Sequence, residues 1–203
     1  MDKQFIEELA SAAPTPGGGA ACAYVGVLAT CLTSMVGNLT VGKERYRNVE
    51  EEARQKLVQL EGIRERLANL VRADEEAFAP LAAAYRMPRG TDEERALREA
   101  AVQEALYGAS EVPLEVMETI LEALGVAKFF AYNGNRSALS DIGAAATFAR
   151  AAAHGVRMTV VANISSMKDE QRARIYKQRM DSLLADIDQQ SEFVESYVLD
   201  YLS

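Results

Sequence analysis

The chain has 203 residues, of which 49% are hydrophobic and 26% charged, and a formal net charge of −8. That length supports a single domain with a sizeable core, residues 1–203, and the composition is that of an ordinary globular protein. The acidic balance, with no basic run anywhere, argues against a nucleic-acid partner.

Residues 1–9, MDKQFIEEL, carry acidic side chains where a signal peptide has its apolar core, so a cytoplasmic location is expected. Phe5, Ile6 and Leu9 sit at helical spacing and predict a short helix over 3–12. Pro14 and Pro16 then forbid its continuation, and Gly17–Gly19 leave the backbone free to turn. From Leu9 to Gly42 there is no charged residue. That stretch is too long for a strand and is read as a helix over 18–41, apolar on nearly every side and therefore expected to be buried all round. Cys22, Gly26, Thr30, Ser34 and Asn38 are each four apart, a stripe that lets another helix approach closely and leaves Ser34 and Asn38 needing partners inside. A membrane span of about 20 apolar residues is the competing reading, but hydroxyls, Asn38 and glycines dilute the stretch and the rest of the chain is strongly charged. A phosphate loop fails, because no lysine follows the glycines at the required spacing. As the start of a buried helix, Gly17–Gly19 would present free N–H groups to an anion or a carbonyl-rich ligand.

Cys22 and Cys31 stand about 13 Å apart along one helix, too far for a disulfide. Free core thiols are expected. With His154 as the lone histidine there is no Cys/His zinc set, and nothing points to a metal.

Beyond Gly42, apolar residues from Val49 to Leu81 keep helical spacing and predict a long amphipathic helix over 47–85, with a possible break at 72–76. The sequence MPRG at 87–90 is a stop. Thr91 with Glu94 forms a capping box that starts another helix, which Pro113 is expected to kink or split. Asn133-Gly134-Asn135 is a turn, Ser140 is expected to cap a second charge-poor helix over 142–153, and His154 reads as its C-terminal residue. Residues 158–164 are rich in β-branched side chains, but no partner strand is evident, so they are read as helix. A final amphipathic helix covers 168–202. The fold class is all-α, a bundle with two buried small-residue helices surrounded by long amphipathic ones.

Polar residues beside the buried segments are the candidates for chemistry, and each has a plain structural alternative. Lys43 and Tyr46 follow the central helix, where Lys43 is equally a solvated helix end. Asp74 is flanked by Arg72, Glu75 and Glu76, which favours a surface residue. Ser140 and Asp141 open the second buried helix, where a carboxylate is favoured by the dipole. Asn163 is polar among valines and could simply satisfy a backbone group. By spacing alone no reaction follows.

The stretch FIEELASAAPTPGGGAACAYVGVLATCLTSMVGNLTVGKERY, together with Asp74, EVPLEV at Glu111–Val116 and NRSALSDIGAAATFARAAAHG at Asn135–Gly155, resembles the cyclodeaminase/cyclohydrolase family. The resemblance covers nearly the whole chain. It implies an all-α homodimer acting on tetrahydrofolate one-carbon adducts, with the folate as substrate and no tightly bound cofactor. It also implies functional roles for Gly17, Gly18, Gly19, Lys43, Tyr46, Asp74, Ser140, Asp141 and Asn163. No transferase domain is expected ahead of this chain, and so no channelling between fused activities.

In the cyclodeaminase reaction, N10 of 5-formiminotetrahydrofolate attacks the amidine carbon and ammonia leaves. In the cyclohydrolase reaction, water attacks the methenyl carbon and the N5 bond breaks. Both need a group that moves a proton beside a cationic one-carbon unit. Asp141, Asp74 and Lys43 are the catalytic candidates. Gly17–Gly19, Tyr46, Ser140 and Asn163 are candidates for binding the pterin or the glutamate tail. Cyclodeaminase is the first reading, cyclohydrolase the second, and a folate-binding or scaffold bundle without chemistry the third. Convergence of Asp74, Asp141 and Lys43 in one cleft would separate the enzymes from the third. If Asp141 is the general base, Asp141→Asn lowers kcat on the order of 10² with little change in melting temperature.

Overall fold

Six α-helices form the body of the computed structural model, which describes residues 3–203. They are α1 (Lys3–Leu9), α2 (Gly18–Thr40), α3 (Glu50–Arg86), α4 (Asp92–Asn133), α5 (Leu139–Ser165) and α6 (Glu170–Leu202). Short 3-10 turns occupy Glu44–Val49 and Arg136–Ala138, and among the described residues there is no strand. The β-branched run 158–164 lies inside α5.

Helix α2 packs against α3, α4 and α5. By length and composition alone it would also pass as a membrane span. Its small residues set the approach of its neighbours: a Cβ on Gly26 would stand 3.3 Å from Leu67 of α3 and 3.4 Å from Ile120 of α4. Ser34 is buried and accepts from Arg64 Nη1 at 3.3 Å. Burial is not complete, however. Leu28, Met35 and Leu39 remain 41%, 40% and 41% exposed, and Cys31 and Asn38 are exposed too. The expectation of a helix buried all round therefore fails on one side, and Cys31 is a free surface thiol rather than a core one.

Helix α3 shows no break at 72–76 and passes through Pro80, which is exposed, so the carbonyl it leaves without an N–H meets water. The capping box at Thr91 forms as expected, with Glu94 N–H donating to Thr91 Oγ1 at 3.1 Å and Thr91 N–H to Glu94 Oε2 at 3.0 Å. Helix α4 is one helix and is not split at Pro113. Pro113 removes the N–H that would reach the Ala109 carbonyl, and Asn163 of α5 supplies the replacement, Nδ2 donating to that oxygen at 2.7 Å.

Ser140 does not cap α5. It lies within the first turn, the N-cap is Ala138 and makes no side-chain cap, and the preceding turn is held by Asn135, whose Oδ1 accepts from Ser137 N–H at 3.0 Å. Asn135 also donates through Nδ2 to the Leu39 carbonyl at 2.9 Å, tying the end of α2 to the start of α5. His154 is in mid-helix rather than at a terminus, its Nε2 2.8 Å from Asp188 of α6, which Arg150 also reaches at 2.9 Å.

Candidate active site

Glycine at 17 opens α2 without a side-chain cap of its own. The first amides of a helix have no partners within it, and one of them is satisfied from far along the chain: Ala20 N–H donates to Asp74 Oδ2 at 2.9 Å. Asp74 reaches that position because α3 runs back along α2, with Leu57 against Gly37, Leu67 against Gly26 and Asp74 against Gly19. Gly19 is buried, and a Cβ there would fall on the Asp74 carboxylate, well inside van der Waals contact. Glycine at 19 thus admits a carboxylate onto the helix terminus. At Gly17 and Gly18 a Cβ would meet nothing within 4 Å; those two positions border open space.

That space is a cleft of about 190 Å³ lined by Pro14, Thr15 and Gly17–Gly19, by Asp74 and Phe78 of α3, by Ala109 of α4, and by Thr159 and Asn163 of α5. The bond from Asn163 Nδ2 to Ala109 orients the amide, since only its NH2 can donate to a carbonyl. Burial raises the Asp74 carboxyl above its ordinary range, Glu75 adds to the rise, and the Ala20 N–H opposes it. Cys22, one turn into α2, is raised by burial and by the nearby Asp74 charge.

Asp74, Gly17, Gly18, Gly19 and Asn163 therefore come together. Lys43, Tyr46, Ser140 and Asp141 do not join them within the chain. The 23 residues of α2 separate Lys43 and Tyr46 from the glycines, about 35 Å of helix at 1.5 Å per residue. Asp141 is at the far end of α5 from Asn163, about 33 Å away by the same rise. Tyr46 Oη accepts from Arg136 N–H at 3.0 Å, joining the two turns at that end, Lys43 and Ser140 are exposed, and Asp141 is half-buried. The expected convergence of Asp74, Asp141 and Lys43 is absent from the single chain. Thr159 and Phe78 were missed from the sequence. Each stands four residues from a candidate, Thr159 before Asn163 and Phe78 after Asp74, so the helical neighbours of the candidates carried the signal. Among the described residues no three His, Cys, Asp or Glu are grouped as metal ligands.

Asn163→Ala is expected to cost about 1–3 kcal/mol, the penalty for leaving a buried carbonyl unpaired. Thermal unfolding measures it, and Pro113→Ala added to Asn163→Ala restores the lost stability by returning an N–H to Ala109.

Comparison with known proteins places these features. A methenyltetrahydrofolate cyclohydrolase of Methylorubrum extorquens is 40% identical over 182 residues, 90% of this chain and 88% of that protein. A formimidoyltransferase-cyclodeaminase of Rattus norvegicus is 32% identical over 192 residues, which take in 95% of this chain and 36% of the rat protein; the chain spans about a third of that longer relative. The crystal structure of a formiminotetrahydrofolate cyclodeaminase from Thermotoga maritima shares the fold with a TM-score of 0.82 at 29% identity, covering 100% of this chain and 95% of that one. Residues 1–182 match the formiminotransferase-cyclodeaminase family. On the match over most of its length, the chain belongs to the formiminotransferase-cyclodeaminase family.

Proposed function

We propose that this protein is a tetrahydrofolate one-carbon enzyme that closes 5-formiminotetrahydrofolate to 5,10-methenyltetrahydrofolate with release of ammonia. It works in the cytoplasm as a homodimer and needs no tightly bound cofactor. The observation that carries this reading is the half-buried Asp74 carboxylate held on the glycine-opened start of α2, in a cleft, in a chain of this family.

The chemistry fits that carboxylate. N10 attacks the amidine carbon, forming the C–N10 bond and giving up its proton. The amidine enters as its protonated cation, so the one proton returned to its nitrogen lets it depart as ammonia and leaves the methenyl bridge. Ionised Asp74 accepts the N10 proton and returns it to the leaving nitrogen; before the first transfer and after the second, its charge stabilises the cationic one-carbon unit. The amides of Gly18 and Gly19, in the first turn of α2, bind a carbonyl or carboxylate oxygen of the substrate. A cleft of about 190 Å³ is smaller than a whole folate, since drug-sized ligands occupy about 300–1,000 Å³. The one-carbon unit and part of the pterin enter it, and the remainder lies along the adjoining apolar groove between α3 and α4, lined by residues including Ala77, Pro80, Ala105, Tyr107 and Gly108.

A second reading is favoured by the relative of similar length that is 40% identical: methenyltetrahydrofolate cyclohydrolase, in which Asp74 takes a proton from water and gives it to N5. Purified protein offered each folate, followed at the methenyl absorbance band, decides. The band grows in the first reaction and decays in the second. Saturable folate binding with neither change would support a non-catalytic folate-binding bundle. Asp141 sits outside the cleft, so in either assay Asp141→Asn is expected to lower kcat by less than a factor of about ten, below the range of a lost general base. A loss as large as that of Asp74→Asn would return Asp141 to the chemistry.

A further inference from the structure

We infer that Thr159 and Asn163 form an acceptor wall in the cleft, where Thr159 Oγ1 and Asn163 Oδ1 hold the departing nitrogen of an amidine and select it over an oxygen in the same place. The inference rests on the proposed reaction for the identity of that nitrogen, and deepens it by naming what recognises the leaving group.

Thr159 stands apart from the other threonines inside helices. Thr30, Thr33, Thr40, Thr119 and Thr147 each turn the hydroxyl back onto a carbonyl three or four residues earlier in their own helix, at between 2.7 and 3.1 Å. That is how a helical threonine ordinarily satisfies its hydroxyl. Thr159 lies within α5, lines the cleft, and makes no hydrogen bond among the described residues. Asn163 follows one turn later on the same helix face. Its Nδ2 is committed to the Ala109 carbonyl at 2.7 Å. The amide therefore has its oxygen left for the cleft, and that oxygen has no partner among the described residues. Side chains at this spacing have Cβ atoms about 5–6 Å apart, so an NH2 group set between their oxygens donates one N–H to each.

The cleft is sorted by the direction of its hydrogen bonds. At the start of α2 the amides of Gly18 and Gly19 offer N–H groups, which attract an oxygen and repel another N–H. Asp74 keeps Oδ2 on the Ala20 N–H at 2.9 Å and has its other oxygen for the migrating proton. The α5 wall supplies the acceptor of Asn163 and the hydroxyl of Thr159. A cationic amidine nitrogen, with two N–H and no free lone pair, suits that wall. A formyl oxygen in its place would gain a donor from Thr159 but would face Asn163 Oδ1 lone pair to lone pair.

The same contacts follow the reaction to its end. The departing nitrogen carries three N–H bonds. Two came with the amidine cation and are held by Thr159 Oγ1 and Asn163 Oδ1; the third is the proton that Asp74 took from N10. The C–N bond then breaks with its electron pair on nitrogen, and ammonia leaves the methenyl cation behind.

Binding to protein carrying Asp74→Asn tests this without consuming substrate. Calorimetry is run with two probes, 5-formiminotetrahydrofolate and 5-formyltetrahydrofolate, which differ in nitrogen against oxygen at the position in question. The formimino compound is expected to bind at least about tenfold more tightly. Adding Thr159→Val is expected to weaken it about ten- to a hundredfold, the range of one hydrogen bond to a charged group, while the neutral formyl compound loses only a few-fold. The preference then collapses. Thr159→Ser keeps the hydroxyl and keeps the preference. Neither change is expected to move the melting temperature much, because Thr159 has no hydrogen bond in the chain to lose. A preference that is absent from the start, or that Thr159→Val leaves unchanged, overturns the inference. Turnover by the parent chain is read separately at the methenyl band. Turnover of 5-formiminotetrahydrofolate with a preference unmoved by Thr159→Val keeps the reaction and removes the acceptor wall. A preference that collapses in Thr159→Val, with no turnover by the parent, keeps the wall and removes the reaction.

Discussion

Asp74→Asn is expected to abolish most turnover, lowering kcat on the order of 10² or more, while the protein keeps its fold. The magnitude is that of a lost general base. Asparagine keeps the size of the side chain and an oxygen that accepts the Ala20 N–H, so the cap on α2 survives, and circular dichroism melts check that it does. The charge and the basicity are what disappear. The pH dependence follows from the direction of the shift. Burial first, and then the charge of Glu75, raise the Asp74 carboxyl above its ordinary 3.8, against the pull of the Ala20 N–H. The folded protein therefore holds a proton that the unfolded chain has released. The associated stability is fully present below 3.8 and is lost as pH rises through the raised folded value. Parent and variant melts should diverge over that window, the parent losing ground and the variant showing no such slope. In activity the same titration sets the acid limb of kcat/KM, since the ionised form accepts the N10 proton, and that limb should be missing from the residual activity of Asp74→Asn. An unchanged acid limb would assign the proton transfer to another group.

Much of the fold was legible because local rules and packing agree. Thr91 and Glu94 form the cap their spacing predicts. The charge-free run after Gly17 is a helix ending at Thr40, two residues before Gly42, whose φ of 75° is a left-handed conformation suited to glycine. The failures trace to contacts that the local pattern does not carry. Pro113 should interrupt α4, and it does not because Asn163 takes over the stranded carbonyl from α5. Ser140 looks like a cap, but Asn135 holds the preceding turn and the helix starts one residue before the serine. The central helix reads as buried on all sides because hydropathy carries no information about how many neighbours are present to cover it. The site divides in the same way. The glycines announce a free helix terminus, yet nothing local says that a carboxylate 54 residues away caps it. Asp74 stood among the polar candidates with a surface alternative, and only the family resemblance implied a functional role for it. Lys43 and Tyr46 were candidates in the same way, and the helix read over 18–41 already sets them at the opposite end from the glycines.

Gly19→Ala is the sharpest probe of that long-range contact, because in an ordinary helix the change is benign. Alanine in place of glycine in a helix is worth up to about 1 kcal/mol of stability. At position 19 the added methyl would occupy the place of the Asp74 carboxylate. Either Asp74 swings away and leaves the Ala20 N–H without its acceptor, or α3 moves off α2. Both outcomes are costly, and an overpacked contact of this kind typically loses about 1–3 kcal/mol. The expected result is a lowered melting temperature and a fall in kcat comparable to that of Asp74→Asn, since the carboxylate can no longer sit where the reacting nitrogen needs it. The double variant Gly19→Ala with Asp74→Ala separates the two effects. Removing the carboxylate makes room for the methyl, so part of the stability returns and the two changes couple by about 0.5–3 kcal/mol, the range for residues in contact. Activity does not return with it. Additive losses of stability would mean that Gly19 and Asp74 do not share the space the structure gives them. Near-parental turnover in Gly19→Ala alone would mean that Asp74 works from a different position.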